Sequence, residues 1–170
     1  MPHRNLSLRK RCEVILGHMD LAPPLSLDTL CARIAERRGR PIRLHPLPEE
    51  AAASGVCGLW VGTDTVDHVF YEDRTTPLHR EHIVLHELGH ILFGHHSLDG
   101  EESDGHAPVV LGRTDYSTRQ EREAEMLASM IRVRIRTSGA AHARPASAAR
   151  GALARLESAM GYERGVRDGG

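Results

Sequence analysis

Apolar residues recur at helical spacing in four stretches of the chain and alternate in three short stretches lying between the second and third of these. From Leu6 to about His18, residues Leu8, Cys12, Ile15 and Leu16 fall on one side of a helix. Ala22-Pro23-Pro24 breaks it. Ser26 then offers an N-cap to a second helix, which carries Leu27, Leu30, Cys31 and Ile34 and is ended by Gly39. Arg40 to His45 alternates like a strand, and its proline argues for a place at a sheet edge. A soft segment, Glu49 to Gly55, follows. Cys57–Val61 and Val66–Tyr71 read as two strands joined through Gly62-Thr63-Asp64-Thr65, a hairpin.

The third helical stretch opens at Thr76-Pro77, a hydroxyl N-cap followed by proline at the first helical position, and runs to Gly94. A polar loop from about Ser97 to Tyr116 leads to Ser117-Thr118-Arg119-Gln120, a capping box that opens a last helix through about Arg136. Beyond Ser138 the chain turns Ala/Gly/Arg-rich, and residues 138–170 are expected to form a mobile, low-complexity tail. This order of elements predicts an α+β fold: N-terminal helices over 6–39, a small three-stranded sheet or hairpin over 40–71, a helix over 76–94 and a helix over 117–136.

Composition narrows what such a fold can do. A net charge of −1 gathers no nucleic acid, and 4% aromatic residues are too few for a base-stacking platform, so no direct nucleic-acid contact is expected. Arg132, Arg134 and Arg136 at the end of the last helix are read as complementing its dipole. No run of 18 apolar residues exists and the N-terminus lacks a signal-like stretch, so a cytoplasmic protein without a membrane partner is expected. Three cysteines, Cys12, Cys31 and Cys57, stand at unrelated spacings and read as reduced thiols rather than disulfides or zinc ligands. Twelve histidines are the one unusual count, and they supply both ligands and decoys.

Chemistry concentrates in His86-Glu87-Leu88-Gly89-His90. Residues four apart on a helix share a face about 6 Å apart along the axis, so two imidazoles can converge on one zinc ion. Glu87 sits beside that face, where a carboxylate can take a proton from a water whose pKa the metal lowers. A catalytic zinc needs a third protein ligand. Glu121 is the favoured one: it lies about 60° from the centre of the last helix's apolar stripe, whereas Glu123 and Glu125 lie about 100° away on opposite flanks. His96 is the rival, six residues after His90, but Phe93 stands where that pattern requires glycine. His82 can approach the metal face or bond a carboxylate, and His79, His95 and His106 read as solvated or capping residues. Glu125 is a candidate acceptor for a ligand histidine, and Tyr116 or His106 a candidate to stabilise an oxyanion.

Two stretches together, Ile83-Val84-Leu85-His86-Glu87-Leu88-Gly89-His90-Ile91-Leu92-Phe93-Gly94-His95 and Glu121-Arg122-Glu123-Ala124-Glu125-Met126-Leu127-Ala128, resemble the ImmA/IrrE family of metallo-endopeptidases. The likeness covers about half the chain, Gly58 to Ile135; the second stretch is similar to that family's ExxA[ND]xFA helix, with Glu125 in place of Asn or Asp. It implies a zincin-like metallopeptidase domain over 1–137, one zinc ion on His86, His90 and Glu121, and Glu87 as catalytic base. It further implies a protein substrate, a helix-turn-helix transcriptional repressor, in stress, mobile-element or toxin–antitoxin regulation. The alternative class is a regulatory protein-binding module whose zinc site is structural and closed by a fourth ligand.

Overall fold

A computed structural model describes residues 7–95 and 116–142, the last three by backbone alone. The expected polar loop with His96 and His106, and the tail beyond 142, lie outside the described residues. Within them the chain is mixed α+β: α1 (Leu8–Gly17), α2 (Leu27–Arg38), β1 (Ile42–Pro46), α3 (Glu49–Ala53), β2 (Gly58–Gly62), β3 (Asp67–Tyr71), α4 (Pro77–Phe93) and α5 (Thr118–His142). No helix among the described residues is long and apolar enough to cross a membrane.

Helix boundaries follow their caps. Ser7, Ser26 and Thr76 each accept a backbone N–H from the first turn of α1, α2 and α4. Gly39 and Gly94 close α2 and α4 at φ 69° and 67°, the left-handed conformation that glycine adopts without strain. At the start of α5, Ser117 and Gln120 exchange bonds, each side chain accepting the other's backbone N–H.

The sheet has three strands in the order β1-β3-β2, β1 parallel and β2 antiparallel to β3. Leu47 donates to Tyr71 and Pro41 accepts from Asp67, so the odd residues of β1 face β3. Pro46 therefore turns its missing N–H to the open edge, where it costs nothing. Bonds at Cys57–Glu72 and Thr63–Val66 set the same alternation in the hairpin. Gly58, Trp60 and Gly62 point their backbone polar groups away from β3, along an open edge.

Helix α4 is the centre of the molecule. Ile83, Val84, Leu85, Leu88 and Ile91 are buried, and the helix packs on β2 and β3 on one side and along α5 on the other. Leu127 and Ile131 of α5 and Leu16 of α1 close the core. A side chain such as Leu85, fully buried here, stabilises by roughly 1.5–3 kcal/mol relative to exposure. Asp67, fully buried at the head of β3, is gripped by Arg38 Nε at 2.5 Å, Arg40 Nε at 2.9 Å and the Trp60 indole N–H at 2.9 Å. This clasp ties the end of α2 to both strands of the hairpin.

Two expectations need correction. The segment read as soft contains α3, favoured by Glu49 and Glu50 in its first turn and burying Ala51. The last helix runs to His142 rather than Arg136, so the first residues assigned to the tail are helical. Thr137 bonds back to the Val133 and Arg134 carbonyls, and Ser138 is buried, so neither competes with the helix.

Candidate metal centre

The helical spacing of His86 and His90 sets their rings one turn apart and edge to face, with centroids 4.9 Å apart and planes at 72°. Both project toward α5, and Gly89 explains how closely α5 can approach. A Cβ at Gly89 would lie 2.9 Å from the Cα and carbonyl oxygen of Ala124. Only glycine lets the two backbones come this near, and Glu121, one turn before Ala124, is thereby brought over the imidazoles.

The resulting geometry is a three-donor cluster. His86 Nε2 lies 3.1 Å from Glu121 Oε2 and 3.1 Å from His90 Nε2, and His90 Nε2 lies 3.5 Å from Glu121 Oε1. Three donors each about 2.1 Å from one tetrahedral ion stand about 3.4 Å from one another. His86, His90 and Glu121 can therefore hold a metal ion. His90 is 1% exposed at its side chain, His86 21% and Glu121 46%, so the cluster is sealed behind His90 and opens past Glu121. A cleft of about 590 Å³ lies there, flanked by Leu8, His86, Thr118, Glu121 and Met126. Burial, with His86 and His95 nearby, pulls the His90 pKa down to about 3 and keeps the ring neutral, the form that ligates metal.

Glu87 turns the other way, toward β2. A Cβ at Gly58 would come within 2.6 Å of its Oε1, so glycine there makes room for the carboxylate. The Trp60 backbone N–H, on the open edge of β2, also lies against it. Glu87 is 6% exposed, and its Oε2 is buried without a hydrogen-bond partner among the described residues. Burial, reinforced by the charge of Glu121, raises its pKa to about 8. A carboxyl poised near neutrality beside a ligand cluster is suited to proton transfer.

Other predicted residues surround the cluster. Tyr116 stacks flat on the His90 ring, centroids 3.7 Å apart and planes at 14°. Burial, then Glu87 and Glu121, push its phenol above the ordinary 10, so it remains a donor. Glu125 Oε2 lies 3.4 Å from His86 Nδ1 and 3.1 Å from His82 Nε2, so His82 bonds a carboxylate. His79 meets Thr75 at 2.8 Å at the exposed start of α4. His106 and the rival His96 lie outside the described residues.

Two residues were misjudged by sequence reasoning. His95, read as solvated or capping, is 5% exposed: the left-handed turn at Gly94 folds it back so that its Nδ1 lies 2.9 Å from His90 Nδ1. Glu123, ranked as lying farther from the buried face than Glu121, is also 5% exposed and meets His95 Nε2 at 2.9 Å. α1 covers a second flank of α5, which the apolar stripe does not mark, and brings Arg11 onto Glu123. A histidine directly after a helix-ending glycine was the available signal.

No protein-family model, curated protein or solved structure matches the chain, so the reading of the site rests on its own residues.

Proposed function

We propose that this protein is a zinc-dependent endopeptidase with a zincin-like site, resembling the ImmA/IrrE enzymes, that hydrolyses a peptide bond in a protein partner. The observation that carries the reading is the convergence of His86, His90 and Glu121 beside a buried Glu87 with one unpartnered oxygen. Such an oxygen is costly in a purely structural role. Zinc, the ion best matched to two imidazoles and a carboxylate, supplies Lewis acidity when bound, polarising a carbonyl and acidifying water.

The chain's own residues account for the rest. An extended substrate segment can pair along the open edge of β2, whose outward groups lead directly to Glu87. Glu87, in its ionised form, accepts a proton from the attacking water as the water's oxygen bonds to the scissile carbon. As the C–N bond breaks, Glu87 returns that proton to the leaving amine. The Tyr116 phenol, held protonated, is the donor available to the carbonyl oxygen as negative charge develops on it. The resemblance points to a helix-turn-helix repressor as substrate, and the absence of a membrane-length helix among the described residues fits a cytoplasmic setting.

The test is co-expression with the repressor encoded nearest to it, followed by intact-mass measurement of that repressor. Zinc-dependent cleavage by the wild type and none by Glu87→Gln is expected. Equal cleavage by both would refute the mechanism.

A further inference from the structure

Behind His90, on the side away from Glu121, lies a second set of polar side chains, in which His95 and Glu123 are buried and Arg11 and Arg119 reach in from the surface. His90 Nδ1 meets His95 Nδ1 at 2.9 Å, His95 Nε2 meets Glu123 Oε2 at 2.9 Å, and Glu123 Oε1 is held by the guanidinium of Arg11 and, at 2.9 Å, by Arg119 Nε. His95 and Glu123 are each 5% exposed. These groups come from four places in the sequence: α1, the turn after α4, and two positions on α5. None of them contributes a donor to the cluster of His86, His90 and Glu121.

The order of the partners dictates where each proton sits. A carboxylate clasped by two arginines only accepts hydrogen bonds, so His95 must present a proton to it from Nε2. The neutral ring's Nδ1 is then an acceptor, and His90 must donate to it from its own Nδ1. That leaves the lone pair of His90 on Nε2, the nitrogen that faces His86 and Glu121. With the opposite tautomer His90 would aim an N–H at the cluster.

We propose that His95 and Glu123, clamped by Arg11, are positioning residues that lock His90 in its metal-ligating tautomer and ring orientation. This inference rests on the metal-centre reading above. Ligand histidines are commonly oriented by a carboxylate or carbonyl on the outer nitrogen, and losing that partner costs about 10–100-fold in metal affinity. Here a second imidazole stands between the ligand and the carboxylate, and the carboxylate's charge is anchored to α1. Seating of α1 on α5 is thereby coupled to the quality of the metal site.

The experiment is a zinc titration against a chromogenic chelator, run on the whole chain with far-UV circular dichroism as the folding control. His95→Phe keeps a ring but removes both nitrogens and should weaken zinc binding about 10–100-fold. His95→Gln restores one acceptor and one donor and should recover most of the loss. A folded His95→Phe protein that binds zinc as tightly as wild type overturns the proposal. Should His95→Phe not fold, long-range ¹H–¹⁵N spectra of the wild type decide: His90 protonated on Nδ1 and His95 on Nε2 supports it, and His95 protonated on Nδ1 overturns it. Those tautomers can be read with or without metal. A wild type that binds no zinc would therefore sink the metal-centre reading alone.

Discussion

Asp67 and Glu87 are both carboxylates removed from water, 0% and 6% exposed, and both touch Trp60, one through its indole and the other through its backbone. Asp67 has every need met. Arg38, Arg40 and Trp60 bond both its oxygens, and although burial pushes its pKa up, those bonds more than compensate and hold it below the ordinary 3.8. Among the described residues Glu87 has no cation beside it and one oxygen lacks a partner, and burial with Glu121 drives its pKa the other way, to about 8. A satisfied buried charge is architecture. A buried carboxyl that lacks such partners, beside a cluster able to hold a metal, fits the proton-transfer role proposed for it.

Exchanging each carboxylate for its amide breaks the comparison most severely. Glu87→Gln should lower hydrolysis of the protein partner by about 10²–10⁴-fold while zinc binding and thermal stability persist, as read by cleavage rate and metal titration. Asp67→Asn should do the reverse, costing about 3 kcal/mol in urea denaturation by leaving Arg38 and Arg40 against an uncharged group. That deficit carries a pH signature. Because the folded-state pKa of Asp67 is depressed, its contribution is present above the ordinary 3.8 and is lost as pH falls through the lower value. The gap between wild type and variant should therefore stay open through neutral pH and close only in strong acid.

Two glycines sharpen the contrast further. Gly58→Ala would crowd both the Glu87 carboxyl and the Cγ2 methyl of buried Ile83, so it should displace the base, cost about 10²-fold in rate and also lower stability by about 1–3 kcal/mol. Gly89→Ala meets the backbone of Ala124, which cannot swing aside. It should cost about 1–3 kcal/mol and weaken zinc binding, because the helix carrying Glu121 must move outward.

The caps, the periodicity and the four-residue spacing of His86 and His90 placed α2 and α4, the hairpin and both histidines of the cluster, because these depend on neighbours within a few residues. The third ligand needed an assumption about which flank of α5 is covered. The apolar stripe favoured Glu121, but what brings it over the imidazoles, the approach of Gly89 to Ala124, is a contact between helices that no local pattern states. His95 and Glu123 were missed for the same reason: their burial depends on α1 lying across α5, far away in sequence. The Asp67 clasp joins α2 to the hairpin and was invisible to a reading of elements one at a time.

Whether α4 and α5 share one ion is measured most directly by zinc stoichiometry and affinity in wild type and Glu121→Ala. One ion per chain in the wild type, with affinity reduced at least about 100-fold in the variant, is the expected result. A wild type that binds no zinc, or a Glu121→Ala protein that binds it equally well, would contradict it.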